Sequence, residues 1–141
     1  MELVYYFDKE LGESPVNKYL SQYLKKERDL PKIKKRKEKL LADIDAKIRY
    51  VFGNGGKVDG RISFPMRKYK YFKIKHRKNE ELVIRICYFC HNNKLVLLSA
   101  FEKPDNYDKE SEERAIRKEL DIADNYRTNF ISNPKLYEEY K

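Results

Sequence analysis

The sequence predicts an α+β fold: a small antiparallel sheet in the order β-α-α-β-β-β-α, with helices packed on it. Three observations carry this expectation. Runs rich in Tyr, Phe, Val, Ile and Leu at residues 3–7, 68–76, 82–90 and 94–101 have the composition of strands. Apolar residues recur every three or four positions in three other stretches, the period of a helix with one buried face. The two kinds of element are grouped along the chain rather than strictly alternating, which separates α+β from α/β architecture.

Each element has its own local signals. Residues 3–7, Leu-Val-Tyr-Tyr-Phe, read as the first strand. Ser14-Pro15 supplies an N-cap followed by proline at the first helical position. Val16, Tyr19, Leu20, Tyr23 and Leu24 follow at helical spacing, so a first helix is expected over 15–25. Pro31 opens a second helix, whose apolar face is Leu40, Leu41, Ile44, Ile48 and Val51 and whose end is the cluster Gly53-Asn54-Gly55-Gly56. A loop continues to Asp59-Gly60. The three strand-like runs that follow are separated by Lys78-Asn79-Glu80 and His91-Asn92-Asn93, short turn-like links that suit an antiparallel meander. The second and third of these runs are almost continuously apolar, as in strands covered on both faces. A last helix over 111–129 carries Ile116, Leu120, Ala123 and Tyr126 at helical spacing, a stripe that Phe130 extends. Residues 1–130 then form the domain, and the polar 131–141 is expected to be a weakly ordered tail.

Composition narrows the function. The 141 residues include 32 Lys and Arg against 23 Asp and Glu, a formal net charge of +9. That excess favours an anionic partner such as nucleic acid. The N-terminal stretch lacks the basic-then-apolar pattern of a signal peptide, and the longest apolar runs are far short of a membrane span, so the expected setting is the cytoplasm. Cys87 and Cys90 stand three apart within a strand and so point to opposite faces, which argues against a disulfide and a shared metal; no metal or other cofactor is expected.

The stretch most informative about chemistry is 67–78, RKYKYFKIKHRK, which holds seven Lys or Arg residues and no acid. Arg67, Lys68, Tyr69, Lys70, Tyr71, Arg77 and Lys78 interleave cations with aromatic rings, which suits RNA because cations meet phosphates and rings stack on bases. Strand alternation puts Lys73 and Lys75 on one face, about 7 Å apart, with Phe72 and Ile74 on the other. A solvated edge strand guarded by lysines would show the same pattern. Arg85 interrupts an otherwise apolar run and needs a partner or a wet cleft. Lys103 stands at the exit of the third strand. A meander can gather Lys73, Lys75, Arg85 and Lys103 into one basic pocket. Such a pocket stabilises the charge that builds on a phosphodiester during cleavage, and a lysine among other cations has a lowered pKa. The run Lys34-Lys35-Arg36-Lys37 at the start of the second helix reads either as a solvated face or as a phosphate-tracking patch.

Taken together, Tyr71-Phe72-Lys73-Ile74-Lys75, then Val83-Ile84-Arg85-Ile86-Cys87-Tyr88-Phe89, then Val96-Leu97-Leu98-Ser99-Ala100-Phe101-Glu102-Lys103 resemble the core of RelE/HigB-type toxins. Ser14-Pro15-Val16 and Glu119-Leu120-Asp121-Ile122-Ala123 resemble the phage-derived HigB-like branch. The resemblance implies a RelE-like toxin fold and the toxin of a type II toxin–antitoxin pair: a metal-independent endoribonuclease, or mRNA interferase, whose partners are mRNA, the ribosome and a cognate antitoxin. By position it implies phosphate and proton-transfer roles for Lys73, Lys75, Arg85 and Lys103, with Tyr107 near an aromatic that stacks on the cleaved nucleotide. The chain departs from the family in Pro104, Asp105 and Asn106, where many members have a second lysine, and this leaves the general acid open. The alternative is a catalytically silent RNA-binding or phage-encoded accessory protein of the same fold.

Overall fold

The structure, a computed structural model, describes residues 1–104 and 109–140. Six strands form one sheet: β1 (Glu2–Tyr6), β2 (Ser63–Pro65), β3 (Phe72–Arg77), β4 (Leu82–His91), β5 (Lys94–Pro104) and β6 (Glu138–Tyr140). Their order across the sheet is β2-β3-β4-β5-β1-β6. The fold is α+β as expected, but the sheet is mixed rather than antiparallel, because β1 runs parallel to β5 with Val4 opposite Val96. The N-terminal strand is inserted between β5 and the chain's last strand, a long-range pairing that local sequence signals do not encode. Two three-residue strands, β2 and β6, also escaped the expected order, since three residues are too few to display a period.

Helices cover both faces. On one lie α1 (Pro15–Ser21) and α2 (Pro31–Gly53); on the other lies α3 (Lys109–Ser132). The first face buries Val16, Ile44, Ile48 and Val51 of the helices against Tyr5, Ile74, Ile84, Ile86, Tyr88, Leu95 and Leu97 of the sheet. The second buries Ile116, Leu120, Ala123 and Phe130 of α3 against Val4, Tyr6, Cys87, Phe89, Val96, Leu98 and Phe101. Among the described residues no helix is long and apolar enough to cross a membrane.

Strand β5 changes parity along its length. Cys87 of β4 opposes Ser99, yet its neighbour Tyr88 opposes Leu97, so Leu98 is an extra residue in β5. Such a bulge turns the residues beyond it over relative to strict alternation. Val96 and Leu98 face α3 before the bulge, and Phe101 and Lys103 face the same side after it.

Local structure follows the chemistry of the residues. Ser14 Oγ accepts from Asn17 N at 3.2 Å, and Pro15 opens α1. The helix stops at Ser21 rather than 25, because the next backbone bonds, Tyr23 N to Leu20 O and Leu24 N to Ser21 O, are those of a tightening turn. The run 68–76 becomes strand only from Phe72; residues 66–71 form the approach from β2. Asn92 and Asn93 both have left-handed φ, 49° and 61°, as a two-residue hairpin turn with the twist of its strands requires. The expected loose tail instead carries a 3-10 turn and β6, which pairs with β1, while the Tyr137 ring stacks on Tyr6 with centroids 5.5 Å apart. Burying one aromatic face and pairing a strand edge is what holds these few residues to the sheet.

The end of α2 depends on Gly56. Its φ is +79°, and its backbone N–H donates to the Val51 carbonyl at 2.9 Å. A Cβ at this position would overlap Cys90 Sγ, whereas one at Gly53 meets nothing within 4 Å. Gly56→Ala should therefore cost at least about 1–3 kcal/mol, the strain of a non-glycine residue in this backbone region, and lower the melting temperature by several degrees. Gly53→Ala, inside the helix, should be neutral or stabilising by up to ~1 kcal/mol. Thermal melts of the two variants check this; equal shifts would contradict it.

Candidate functional site

Between the sheet and α3, at the end of the sheet where β2 pairs with β3, lies a cavity of about 370 Å³. Lys73 and Lys75 of β3, Arg85 of β4 and Lys103 of β5 all line it. Strand register brings them together. Lys75 stands directly opposite Arg85, Lys73 opposite Cys87, and Lys103 opposite Val83, one pair further along. Strands lie about 4.8 Å apart and rise about 3.3 Å per residue, so the four stems rise from a patch roughly 15 Å along its diagonal. Arg85 is only 6% exposed and Lys103 only 5%.

This concentration of charge acts on Lys73. Burial, and then the nearby Arg85, Lys75 and Lys103, push its amine down to about 8. Each removes something the ammonium needs, first water and then a favourable potential. At neutral pH roughly one Lys73 in ten would then carry a neutral amine, against about one in several thousand for an ordinary lysine.

A second wall of the cavity is mainly apolar: Phe64, which pairs with Lys73 across β2 and β3, Pro65 and Met66, together with Ile116, Leu120 and the cation Arg117 of α3. The Lys75 ammonium lies 4.7 Å from the centre of the Phe64 ring, a cation–π contact. Asp59 fixes this wall. Its Oδ1 accepts from the backbone N–H groups of Arg61, Ile62 and Ser63, and these three bonds hold the carboxyl far below its usual range. The Ser63 hydroxyl in turn donates to the Lys57 carbonyl and accepts from Asp59 N. Sequence reasoning missed Phe64 and Met66. The short apolar run Ile62-Ser63-Phe64-Pro65-Met66 was the available signal.

The other residues expected to meet RNA divide into two groups. Arg67, Lys68 and Tyr69 line the mouth of the cavity. Tyr69 is held there by its O–H, which donates to Asp121 at 2.6 Å. Lys70 is exposed, and it is not among the cavity's lining residues. Tyr71 is a correction: it is fully buried and donates its O–H to the Leu120 carbonyl at 2.8 Å, so it anchors α3 to the sheet and offers no ring to a base. Arg77 is exposed at the end of β3 and donates back to the carbonyls of Asn79 and Glu80 in its own turn. Lys78 is a second correction. It lies on the α1 side of the sheet, 2.8 Å from Glu102, which also accepts from Tyr19 and Tyr23. A run of like charges had grouped it with Lys73 and Lys75, although alternation places it with Ile74 and His76. Tyr107 lies outside the described residues.

Neither histidine lines the cavity. His76 packs on the α2 side, where burial and Lys47 lower its pKa, and His91 packs near Phe89 and Phe130. Cys87 is buried under α3, while Cys90 is exposed beside Gly55 and Gly56 on the opposite side. Among the described residues no cluster of His, Cys, Asp and Glu could hold a metal ion. The 34–37 run sits on α2, across the sheet from the cavity, and its Lys37 pairs with Asp29 at 2.7 Å.

The environment of Lys73 has a consequence for stability. The unfolded chain holds the lysine proton up to pH 10.5, and the folded chain only to about 8. Between those values the unfolded state binds more protons, so stability rises with pH; below 8 the charge penalty is fully present. Lys73→Met should raise the melting temperature at pH 7, and the gain should shrink as pH climbs toward 10. Melts of both proteins across this range check the sign; a less stable variant at pH 7 would contradict it.

No protein-family model matches the chain, and no curated protein or solved structure matches it.

Proposed function

We propose that the chain is an RNA-cleaving toxin with a RelE-like fold, related to the RelE/HigB type, which acts on mRNA at the ribosome and is silenced by a cognate antitoxin. One observation carries the reading: four cations from three strands converge on one cavity, where burial and the other three cations hold the Lys73 amine near 8.

The chemistry follows from that arrangement. With a phosphodiester in the cavity, the neutral Lys73 amine takes the proton of the 2′-hydroxyl. The 2′-oxygen attacks phosphorus, the bond to the 5′-oxygen breaks, and a 2′,3′-cyclic phosphate remains. Arg85, Lys75 and Lys103 stabilise the charge gathering on the phosphorane oxygens. The departing 5′-oxygen needs a proton. Tyr107 or a group brought by the ribosome supplies it. A surface that holds the 2′-oxygen in line with phosphorus is worth about 7 kcal/mol or more, which is the contribution expected of the ribosome. The antitoxin covers the cationic cavity with an acidic segment, so its association slows as salt rises.

Primer extension on mRNA with and without ribosomes tests the proposal. Cleavage should occur on ribosomes, persist with chelator present, and be slight on the same RNA alone. Arg85→Met and Lys73→Ala should each lower the rate by ~10²-fold or more, the effect of losing a preorganised charge or base. The wild-type rate should rise with pH and level off near 8, because the neutral amine is the active form. RNA binding with no cleavage under any of these conditions would instead identify a silent RNA-binding protein of the same fold.

A further inference from the structure

The two sides of the cavity differ in chemistry, and the difference says what the site would accept. The β3–β5 side offers ammonium and guanidinium groups. The side made by residues 64–66 and α3 offers Phe64, Met66, Ile116 and Leu120, with Arg117 beside them. A site for phosphate alone has no use for an apolar wall, and a site for an apolar ligand has no use for four cations. At about 370 Å³ the cavity lies at the lower end of the ~300–1,000 Å³ range of small-molecule sites, room for one nucleotide rather than a length of strand.

We propose that Met66 and Tyr69, on the segment between β2 and β3, form a nucleobase subsite, so that the cavity binds a single nucleotide with its phosphate on the cations and its base against the apolar wall. This rests on the RNA reading above and deepens it, naming the unit of substrate the site recognises. Three features of the segment support it. The wall is fixed in advance, since Asp59 and Ser63 tie the start of β2 through four backbone N–H groups. The Tyr69 ring is half-buried at the mouth and locked twice, by its bond to Asp121 and by its contact with the Tyr71 ring at 5.2 Å. Met66 is also half-buried against the α3-side core, and its thioether is soft enough to fit either a purine or a pyrimidine. The Tyr69 hydroxyl is already engaged, so recognition at this subsite is by stacking and shape rather than by the hydrogen-bonding edge of the base.

Titration of the whole chain with 3′-adenosine monophosphate and with inorganic phosphate, followed by calorimetry and by amide NMR shifts, tests this. The nucleotide should bind at least ~5-fold more tightly than phosphate, the low end of what stacking one base contributes. Met66→Ala should cut that preference to under twofold, and Met66→Leu should keep it; amide spectra of both variants establish that they fold. Equal affinities of wild type for nucleotide and phosphate would overturn the base subsite while leaving a phosphate site in place. Failure of both probes to shift the cavity's amides would overturn the RNA reading itself, and the subsite with it.

Discussion

The pairing of β4 with β5, including the extra residue at Leu98, is the constraint on which the rest of the molecule depends. On the far side of the bulge, Val96 and Leu98 point toward α3; on the near side, Phe101 and Lys103 do so as well. Without the extra residue one set would face α2. Either the α3 core would lose two large aliphatic side chains, or Lys103 would leave the cavity and Glu102 would turn into it. Glu102 instead stays on the opposite face, where it receives Tyr19, Tyr23 and Lys78 and ties α1 to the sheet. A one-residue change of register thus separates an acid from three cations across the thickness of a sheet.

The same face of the sheet accordingly serves two purposes at its two ends. Near β1 it is apolar, and Phe89, Val96 and Leu98 close against Ala123, Phe130 and their neighbours on α3. Near β2 it carries Lys73, Lys75, Arg85 and Lys103. Like charges placed directly opposite one another, as Lys75 and Arg85 are, oppose sheet formation. That opposition is tolerated because the strands bearing them are also held by the α2 face, where Ile74, Ile84 and Ile86 alternate with the cations and are buried. Concentrated charge that is unfavourable for folding yet fixed by a surrounding core is the arrangement that preorganised anion sites use.

How much of this was legible in the sequence follows from the kind of signal each part leaves. Arg85 stood out because it breaks an apolar strand pattern, and Lys73 and Lys75 because alternation in a basic run places them on one face, with Phe72 and Ile74 on the other. Lys103 was legible as a charge near the others, but its face was not, since strict alternation from Leu98 would send it to the α2 side. Tyr71 and Lys78 were misplaced for one reason: a continuous basic and aromatic run was read as one surface, whereas backbone alternation and the late start of β3 divide it. The β1–β5 pairing joins residues more than ninety positions apart and leaves no local trace. Phe64 and Met66 sit in and beside a three-residue strand, too short for any period. Chemistry that interrupts a pattern is readable; chemistry that depends on which distant segment closes a cavity is not.

The central claim, that burial and three converging cations tune Lys73 for work on a phosphodiester, can be measured directly at that lysine. Carbon-13 NMR of the lysine ε-carbons, assigned by comparison with Lys73→Met, gives the titration midpoint of Lys73 itself. The account predicts a midpoint near 8 in the wild type, an upward move when Lys103→Met removes one neighbouring charge, and a further upward move when phosphate occupies the cavity. A Lys73 midpoint at the ordinary value near 10.5, unmoved by either change, would contradict it.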